Sequence, residues 1–153
     1  MRKSRGLRGE RALTVAMAVA TAVTFVWLGM VLAISFLEAP LKFRAPDVTL
    51  RIGLGIGRLV FRALNIVESM LAVMLVIAVV LGEPPTRIVV VAVGVVAILS
   101  VQLAAIRPRL TRRSDRVLSG EETPRSHAHY AYIALEVAKV GALMVTGVLL
   151  LTG

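Results

Sequence analysis

Four long apolar segments, separated by connections that carry most of the charge, constrain this chain more than any other feature of its sequence. The segments cover about residues 12–37, 62–82, 88–106 and 130–151. An α-helix needs about 20 residues to cross a hydrocarbon layer roughly 30 Å thick. Helices satisfy their own backbone hydrogen bonds inside lipid, and no segment alternates with the period of two that a barrel strand requires. The sequence therefore predicts an all-α integral membrane protein, a four-helix bundle.

The composition agrees with a single membrane domain. The chain has 153 residues, of which 58% are apolar, and its mean hydropathy is +0.85. Soluble domains are usually nearer to half apolar. We expect a basic N-terminal tail over residues 1–11 and one four-span domain over residues 12–153. The first apolar segment is longer than the roughly 7–15 residues of a signal-peptide core, so we expect the mature protein to keep it.

The charge distribution predicts a lipid partner and no nucleic acid. The formal net charge is +9, and the basic residues flank the apolar segments. Basic residues at such positions favour anionic lipid headgroups. The basic tail lies opposite the more basic connections after the first and third segments, so the positive-inside rule leaves the orientation open. We predict a multi-pass protein of the cell membrane without assigning a side to its N-terminus.

The second apolar segment is preceded by a stretch with the pattern of an amphipathic helix. A helical pattern runs from Val48 to Gly82, about 52 Å at 1.5 Å per residue, which is too long for one simple crossing. We predict an interfacial helix over about 48–61, with Asp47 as its N-cap, that leads into the span. Three arginines would form its polar face and three glycines its bend: Arg51, Arg58, Arg62, Gly53, Gly55 and Gly57.

Polar side chains inside the apolar segments form the candidate site, because a charge costs about 2.5–3.5 kcal/mol at the centre of a span. On the fourth segment, which we expect to begin at Thr123 or Ser126, four polar residues recur at spacings of 3, 4 and 3 and share one helical face. The second segment carries a similar stripe, and the first ends with a glutamate. A bundle that turns these faces inward would enclose Glu38, Arg58, Arg62, Asn65, Glu68, His129, Tyr132, Glu136 and Lys139.

Two interpretations of this polar cluster have physical support. In the first, ion pairs only neutralise buried charge: Glu136 with Lys139, and Glu68 or Glu38 with Arg62. In the second, Glu68 or Glu136 gains and loses a proton in a small proton- or ion-coupled transporter. The sequence leaves both interpretations open, because a static ion pair and a titrating site use the same residue types.

Metal, cofactor and enzyme functions have weaker support. His129 and Glu136 are two helical turns apart, about 10.5 Å, which is too far to bind one ion without ligands from other helices. Methionines in apolar spans usually fill the core, and no enzyme motif is present. We expect neither a metal nor a cofactor. Gly53 and Gly57 form a small-xxx-small pair, which predicts close helix packing.

Three stretches also carry a family resemblance: residues 34–43 (ISFLEAPLKF), 53–61 (GLGIGRLVF) and 126–132 (SHAHYAY). Together with Asn65, Glu136 and Lys139, they resemble a family of small bacterial four-helix membrane proteins of unknown function. That family is distantly similar to an animal four-helix transmembrane protein family. The resemblance covers most of the chain from about residue 27 to residue 139. It implies the four-helix fold and the importance of these polar residues, and it favours a bacterial inner membrane.

The sequence thus predicts a non-enzymatic membrane protein whose inward polar cluster is structural or binds a partner. The alternative is the small proton- or ion-coupled transporter. Because four spans of this size enclose little volume, we expect a carrier of this kind to form a homo-oligomer or to associate with another membrane protein.

Overall fold

All secondary structure in the described part of the chain is helical. The structure, a computed structural model, describes the backbone of residues 2–119 and 127–152. The side chains are described in the same ranges except at residues 2–8, 113, 114, 117, 118 and 127–129. Within these ranges four helices are long and apolar enough to cross a membrane: Gly9–Arg44, Leu50–Gly82, Thr86–Arg112 and Tyr130–Thr152. The predicted all-α class and the four candidate spans are confirmed.

The first helix continues past its predicted end at residue 37. It is α-helical over Arg2–Val31, π-helical over Leu32–Glu38, α-helical again over Ala39–Leu41 and 3-10 helical over Lys42–Arg44. Pro40 lies within the short second α-helical turn. A proline ring presses on the carbonyl group four residues earlier in a regular α-helix, and the wider π-helical turn ahead of Pro40 relieves that clash.

The second helix differs from the prediction of two segments joined by a bend. It is one uninterrupted α-helix, Leu50–Gly82, so its glycines do not break the helix into two. Its N-cap is Thr49, whose hydroxyl accepts a hydrogen bond from the backbone N–H of Ile52. The N-cap predicted at Asp47 is wrong, because Asp47 has a φ of 62° and belongs to the preceding turn. The interfacial position of the first turns of this helix stays a prediction.

The third helix is longer than its predicted span. It consists of an α-helix, Thr86–Val101, a π-helical segment, Gln102–Ile106, and a second α-helix, Arg107–Leu118. The first part of the arginine-rich connection expected after residue 106 therefore forms three further turns of the third helix. The fourth helix covers His127–Thr152. Its two predicted N-caps lie outside the described residues: Thr123 and Ser126.

The four helices pack around a core of large apolar side chains. Because the connections are short, consecutive helices run in opposite directions. The first helix packs along the second and the fourth, and the third packs along the fourth. Trp27, Leu75, Val95 and Leu143 are fully buried at the centre of the bundle. This arrangement brings the C-terminal halves of the first and third helices beside the N-terminal halves of the second and fourth.

Gly53 and Gly57 allow the end of the first helix to approach the second helix closely. A Cβ atom added at Gly53 would lie 2.2 Å from the Phe43 ring, and one added at Gly57 would lie 2.8 Å from Lys42 Nζ. Both glycines are buried. The two positions predicted for helix packing therefore face the short segment that follows the first span.

Replacement of Gly57 by leucine is expected to destabilise the bundle by about 1–3 kcal/mol, because the new side chain takes the space of the Lys42 ammonium group. The matched control is Gly55→Leu in the same helix, where an added Cβ meets nothing within 4 Å. The measurement is the midpoint of thermal unfolding in mild detergent. Equal losses in the two variants would show that the close approach at Gly57 does not contribute to stability.

Candidate functional site

A buried lysine at the centre of the bundle is shared by two glutamates. Lys139 Nζ lies 2.5 Å from Glu68 Oε1 on the second helix and 2.9 Å from Glu136 Oε2 on its own helix. It also donates a hydrogen bond of 3.0 Å to Gln102 Oε1 on the third helix. The Lys139 side chain is 0% exposed, and the glutamate side chains are 1% and 3% exposed. One ammonium group therefore bridges oxygen atoms from three helices.

Three further donors act on the two carboxylates. The Trp27 indole N–H donates to Glu68 Oε1 at 2.9 Å, which brings the first helix into the site. The Tyr132 hydroxyl donates to Glu136 Oε1, and Ser35 Oγ donates to the same oxygen at 3.4 Å. Each carboxylate thus receives neutral donors on one oxygen in addition to the shared ammonium. All four helices contribute to the site.

The shared lysine lies deep in the candidate spans. From Tyr130, where the fourth span begins, the helix rises about 14 Å to Lys139. That distance is close to half of a hydrocarbon core roughly 30 Å thick. Charges at such a depth are expensive unless they are paired, and removing one partner of a buried pair leaves an uncompensated charge. The pairing of Lys139 with Glu68 and Glu136 is therefore a strong determinant of how the helices pack.

A layer of aromatic rings and cations separates the shared lysine from one end of the bundle. This end carries the connections between the first and second helices and between the third and fourth helices. Arg107 NH2 donates to the Phe61 carbonyl at 3.0 Å and to Asn65 Oδ1 at 2.9 Å. The Arg107 guanidinium lies 4.9 Å from the centre of the Phe61 ring and 5.6 Å from that of Tyr132. Lys42 Nζ lies 5.3 Å from the centre of the same Phe61 ring. Phe61 is therefore flanked by two cations.

The ion pairs nearer to the end of the bundle are more exposed. Lys42 pairs with Glu38 at 3.3 Å, and the Glu38 side chain is 31% exposed. Arg58 pairs with Asp115 at 2.5 Å, and both of these side chains are about half exposed. Polar contacts thus continue from the middle of the bundle to the end that carries the connections between the first and second and between the third and fourth helices.

The opposite half of the bundle is apolar. Among the described residues, its buried polar side chains are Thr24 and Thr146, whose hydroxyl groups donate to carbonyl oxygens of their own helices, at Ala20 and Ala142. Neither hydroxyl extends the network around Lys139. In the described part of the chain, the polar network is therefore continuous with one end of the bundle only.

Two π-helical segments position side chains of the site. The segment Leu32–Glu38 supplies Ser35 and Glu38, and the segment Gln102–Ile106 begins at Gln102. The backbone N–H of Arg107 donates to the carbonyl oxygen of Gln102 across this second π turn. π-Helical turns are rare and are often found at functional sites, because the extra residue redirects the side chains around it.

Three buried polar atoms of the site have no hydrogen-bond partner in the described part of the chain. They are Nε2 of Gln102, Nε of Arg107 and Oε2 of Glu136. The last of these lies 2.9 Å from Lys139 Nζ, so it makes an ionic contact whose angle does not form a hydrogen bond. Gln102 and Arg107 each present an N–H group without an acceptor. A buried polar group left unpaired costs about 1–3 kcal/mol.

The structure separates the sequence-predicted candidates into two groups. Those that meet in the buried network or its aromatic layer are Glu38, Asn65, Glu68, Tyr132, Glu136 and Lys139. Arg58 lies outside the buried network, Arg62 is exposed, and the His129 side chain lies outside the described residues. The predicted pairing of Arg62 with Glu68 or Glu38 is wrong, because these glutamates pair with Lys139 and Lys42.

Sequence reasoning missed several members of the site. Gln102 was visible only as a polar interruption in an apolar span, and Arg107 only as part of a basic connection. Trp27 lies in the first apolar segment, and nothing in the sequence indicates that its indole N–H donates to Glu68. No group of three His, Asp or Glu residues that could hold a metal ion occurs among the described residues.

The geometry of this site is the only guide to its function. Comparison of the chain with protein-family models, with curated proteins and with solved structures finds no match.

Proposed function

We propose that the chain is a multi-pass protein of the cell membrane in which the cluster of Glu68, Glu136 and Lys139 takes up and releases a proton. The protein would act as a small proton-coupled carrier and not as an enzyme. The observation that carries this proposal is the single buried ammonium group shared by two carboxylates. The family resemblance favours the bacterial inner membrane.

The distribution of polar and apolar side chains supports a membrane location. Large apolar residues such as Leu59 and Val80 are 71% and 69% exposed, whereas Lys139 is 0% exposed. Extended apolar surfaces of this kind are rare on monomeric soluble proteins, while lipid solvates them well. The basic connections would contact anionic headgroups, and the first turns of the second helix would lie at the same level.

The charges around Lys139 support a titrating role. Two carboxylates that share one small site repel each other, and this repulsion is the physical basis of the proposed proton binding. The next cation, Arg107, contacts the neutral acceptors Phe61 O and Asn65 Oδ1. Proton binding by Glu136 would leave Lys139 paired with Glu68 alone and would relieve the repulsion between the two glutamates.

The position of the network supports exchange with one side of the membrane. Glu136 contacts the hydroxyl groups of Tyr132 and Ser35, which can pass a proton by exchanging their hydrogen bonds. These groups lie on the side of Lys139 that faces the two basic connections. Release to the other side would require a second conformation, because the described part of that half contains no continuing polar path.

The second candidate is a purely structural cluster, which is favoured by the zero net charge of the network. Of the described side chains in the network, three are acidic and three are cationic: Glu38, Glu68, Glu136, Lys42, Arg107 and Lys139. A permanently ionised network of this kind would fix the rotation and register of the helices. It would not change its protonation over the pH range in which the protein is folded.

Trp27 provides the test, because it is the only tryptophan in the chain and its indole donates to Glu68. We expect its fluorescence emission to change in one transition with pH while circular dichroism shows the protein folded in detergent. Glu136→Gln should abolish or displace the transition, because it removes one carboxylate from Lys139. The control Glu38→Gln, in the outer pair with Lys42, should retain it. Emission that does not change with pH in the wild-type protein would support the structural cluster.

A further inference from the structure

The geometry points to a binding site for a small monovalent anion at Gln102 and Arg107, and we infer that the anion and the proton are taken up together. This inference rests on the proposed proton-binding function and extends it to a class of substrate. Within the described part of the chain, it is carried by two buried hydrogen-bond donors without acceptors, by an inward arginine without an acidic partner, and by the charge balance of the network.

The two unpaired donors are side-chain N–H groups of Gln102 and Arg107. Gln102 is 2% exposed, and its Oε1 accepts a hydrogen bond from Lys139. Its amide nitrogen therefore points away from the ammonium group and presents N–H donors that have no acceptor in the described part of the chain. Arg107 Nε, also buried, presents another. An acceptor that reached these two groups would remove the cost of leaving buried donors unpaired.

Arg107 is the inward cation whose described contacts include no carboxylate. Lys42 pairs with Glu38, and Lys139 pairs with two glutamates. Arg107 instead binds a backbone carbonyl and the Asn65 amide, and stacks over Phe61 and Tyr132. A guanidinium group is well suited to bind an anion through its N–H donors. The free Nε of Arg107 thus has the chemistry that an anion requires.

The charge balance explains why the anion would be monovalent and would travel with a proton. With all groups ionised, the charges of Glu68, Glu136, Lys139 and Arg107 sum to zero, and the outer pair of Lys42 and Glu38 is neutral by itself. A proton alone makes the cluster of Glu68, Glu136 and Lys139 neutral and leaves Arg107 as an uncompensated positive charge, whereas an anion alone at Arg107 leaves the negative charge of that cluster uncompensated. Binding of both keeps the site neutral, so each favours the other by avoiding a buried net charge.

The groups around Glu136 are consistent with this coupling. It faces Lys139 and Tyr132 on its own helix, Ser35 on the first, and the Glu68 and Gln102 side chains that share Lys139. Glu136 Oε1, which faces the Tyr132 and Ser35 hydroxyl groups and not the ammonium group, is the atom that would receive the proton. Glu136 Oε2 and Gln102 Oε1 both lie within 3.0 Å of Lys139 Nζ, so the residues of the proton site and the anion site are neighbours. No covalent bond forms or breaks.

The outer layer favours entry of an anion over a metal cation. Lys42 and Arg107 both lie over the Phe61 ring, at 5.3 and 4.9 Å from its centre, between the end of the bundle and the shared lysine. Positive charge in this layer attracts anions and repels cations. Because Gln102 is only 2% exposed, we expect the site to take only a small ion.

The test is chloride-driven proton uptake into liposomes that contain the purified full-length protein and a trapped pH indicator. We expect an inward chloride gradient to acidify the lumen. The rate should be unchanged when potassium and valinomycin hold the membrane potential at zero, because the coupled uptake carries no net charge. Arg107→Gln should reduce the rate to that of protein-free liposomes, whereas Arg109→Gln, an exposed arginine two residues further along, should not.

A second variant tests the site even if Arg107→Gln does not fold. Gln102→Glu keeps the oxygen that binds Lys139 and replaces the donor by a negative charge, so it mimics the bound anion. In wild-type protein, chloride should displace the pH transition of Trp27. Gln102→Glu should show a displaced transition without chloride and no response to chloride.

The two proposals fail in different ways. If Trp27 titrates with pH but chloride neither displaces the transition nor drives proton uptake, the anion site is wrong and the proton site stands. If Trp27 emission is also independent of pH, the proton site is wrong, and the anion inference fails with it.

Discussion

Replacement of Lys139 by methionine is expected to lower the free energy of unfolding by about 3–5 kcal/mol, the usual range for removing one partner of a buried ion pair. Methionine has a similar length and fills most of the same space, so the loss comes from electrostatics and not from a cavity. Glu68 and Glu136 would face each other without the ammonium group that joins them. The measurement is equilibrium unfolding in mild detergent by a denaturing detergent, followed by circular dichroism.

Removing the carboxylates as well should restore stability. The double variant Glu136→Gln with Lys139→Met still leaves Glu68 ionised and should recover only part of the loss. Adding Glu68→Gln removes the last of the three charges and should recover most of it. The control is Arg58→Met in the half-exposed pair with Asp115, which should cost about 0–1 kcal/mol. A loss of this small size for Lys139→Met would contradict the central position that the structure gives to Lys139.

Much of the fold could be predicted from the sequence, because it follows from hydropathy and helical periodicity. The four candidate spans and the all-α class required only the length of the apolar segments. The common face of Tyr132, Glu136 and Lys139 followed from spacings of four and three residues in a helix with 3.6 residues per turn. These are local properties, which a sequence determines without knowledge of the partner helices. The resemblance to a bacterial membrane-protein family stays a prediction.

The partners across helices could not be predicted in the same way. The choice of Lys139 for Glu68 depends on the rotation and register of the second and fourth helices, which packing determines. The predicted pairing of Arg62 with Glu68 could have been avoided. The two residues are six apart in one helix, so their side chains lie about 120° from each other around its axis. Glu68 shares the buried face of its helix with Leu64, Leu71 and Leu75, whereas Arg62 is exposed.

The π-helical segments are a second reason why the residues of the site could not all be predicted from the sequence. In a regular α-helix, residues five apart such as Gln102 and Arg107 lie about 140° from each other around the axis. A π turn joins them, with the backbone N–H of Arg107 donating to the carbonyl oxygen of Gln102, and no residue type in that apolar stretch indicates it. The continuity of the second helix was missed for a similar reason. Gly53 and Gly57 are contact points for Phe43 and Lys42 and do not interrupt the helix.

Infrared spectroscopy of the protein in lipid tests the central claim most directly, because a protonated buried carboxyl group absorbs apart from the amide bands. We expect a protonated carboxyl band that grows as pH is lowered, shifts on deuteration and is lost in Glu136→Gln. Glu38→Gln, which alters only the outer pair with Lys42, should leave the band unchanged. A band that titrates in this way would establish that the shared-lysine cluster exchanges a proton. Absence of the band at every pH at which the protein is folded would contradict the proposal and leave the cluster a permanently ionised structural element.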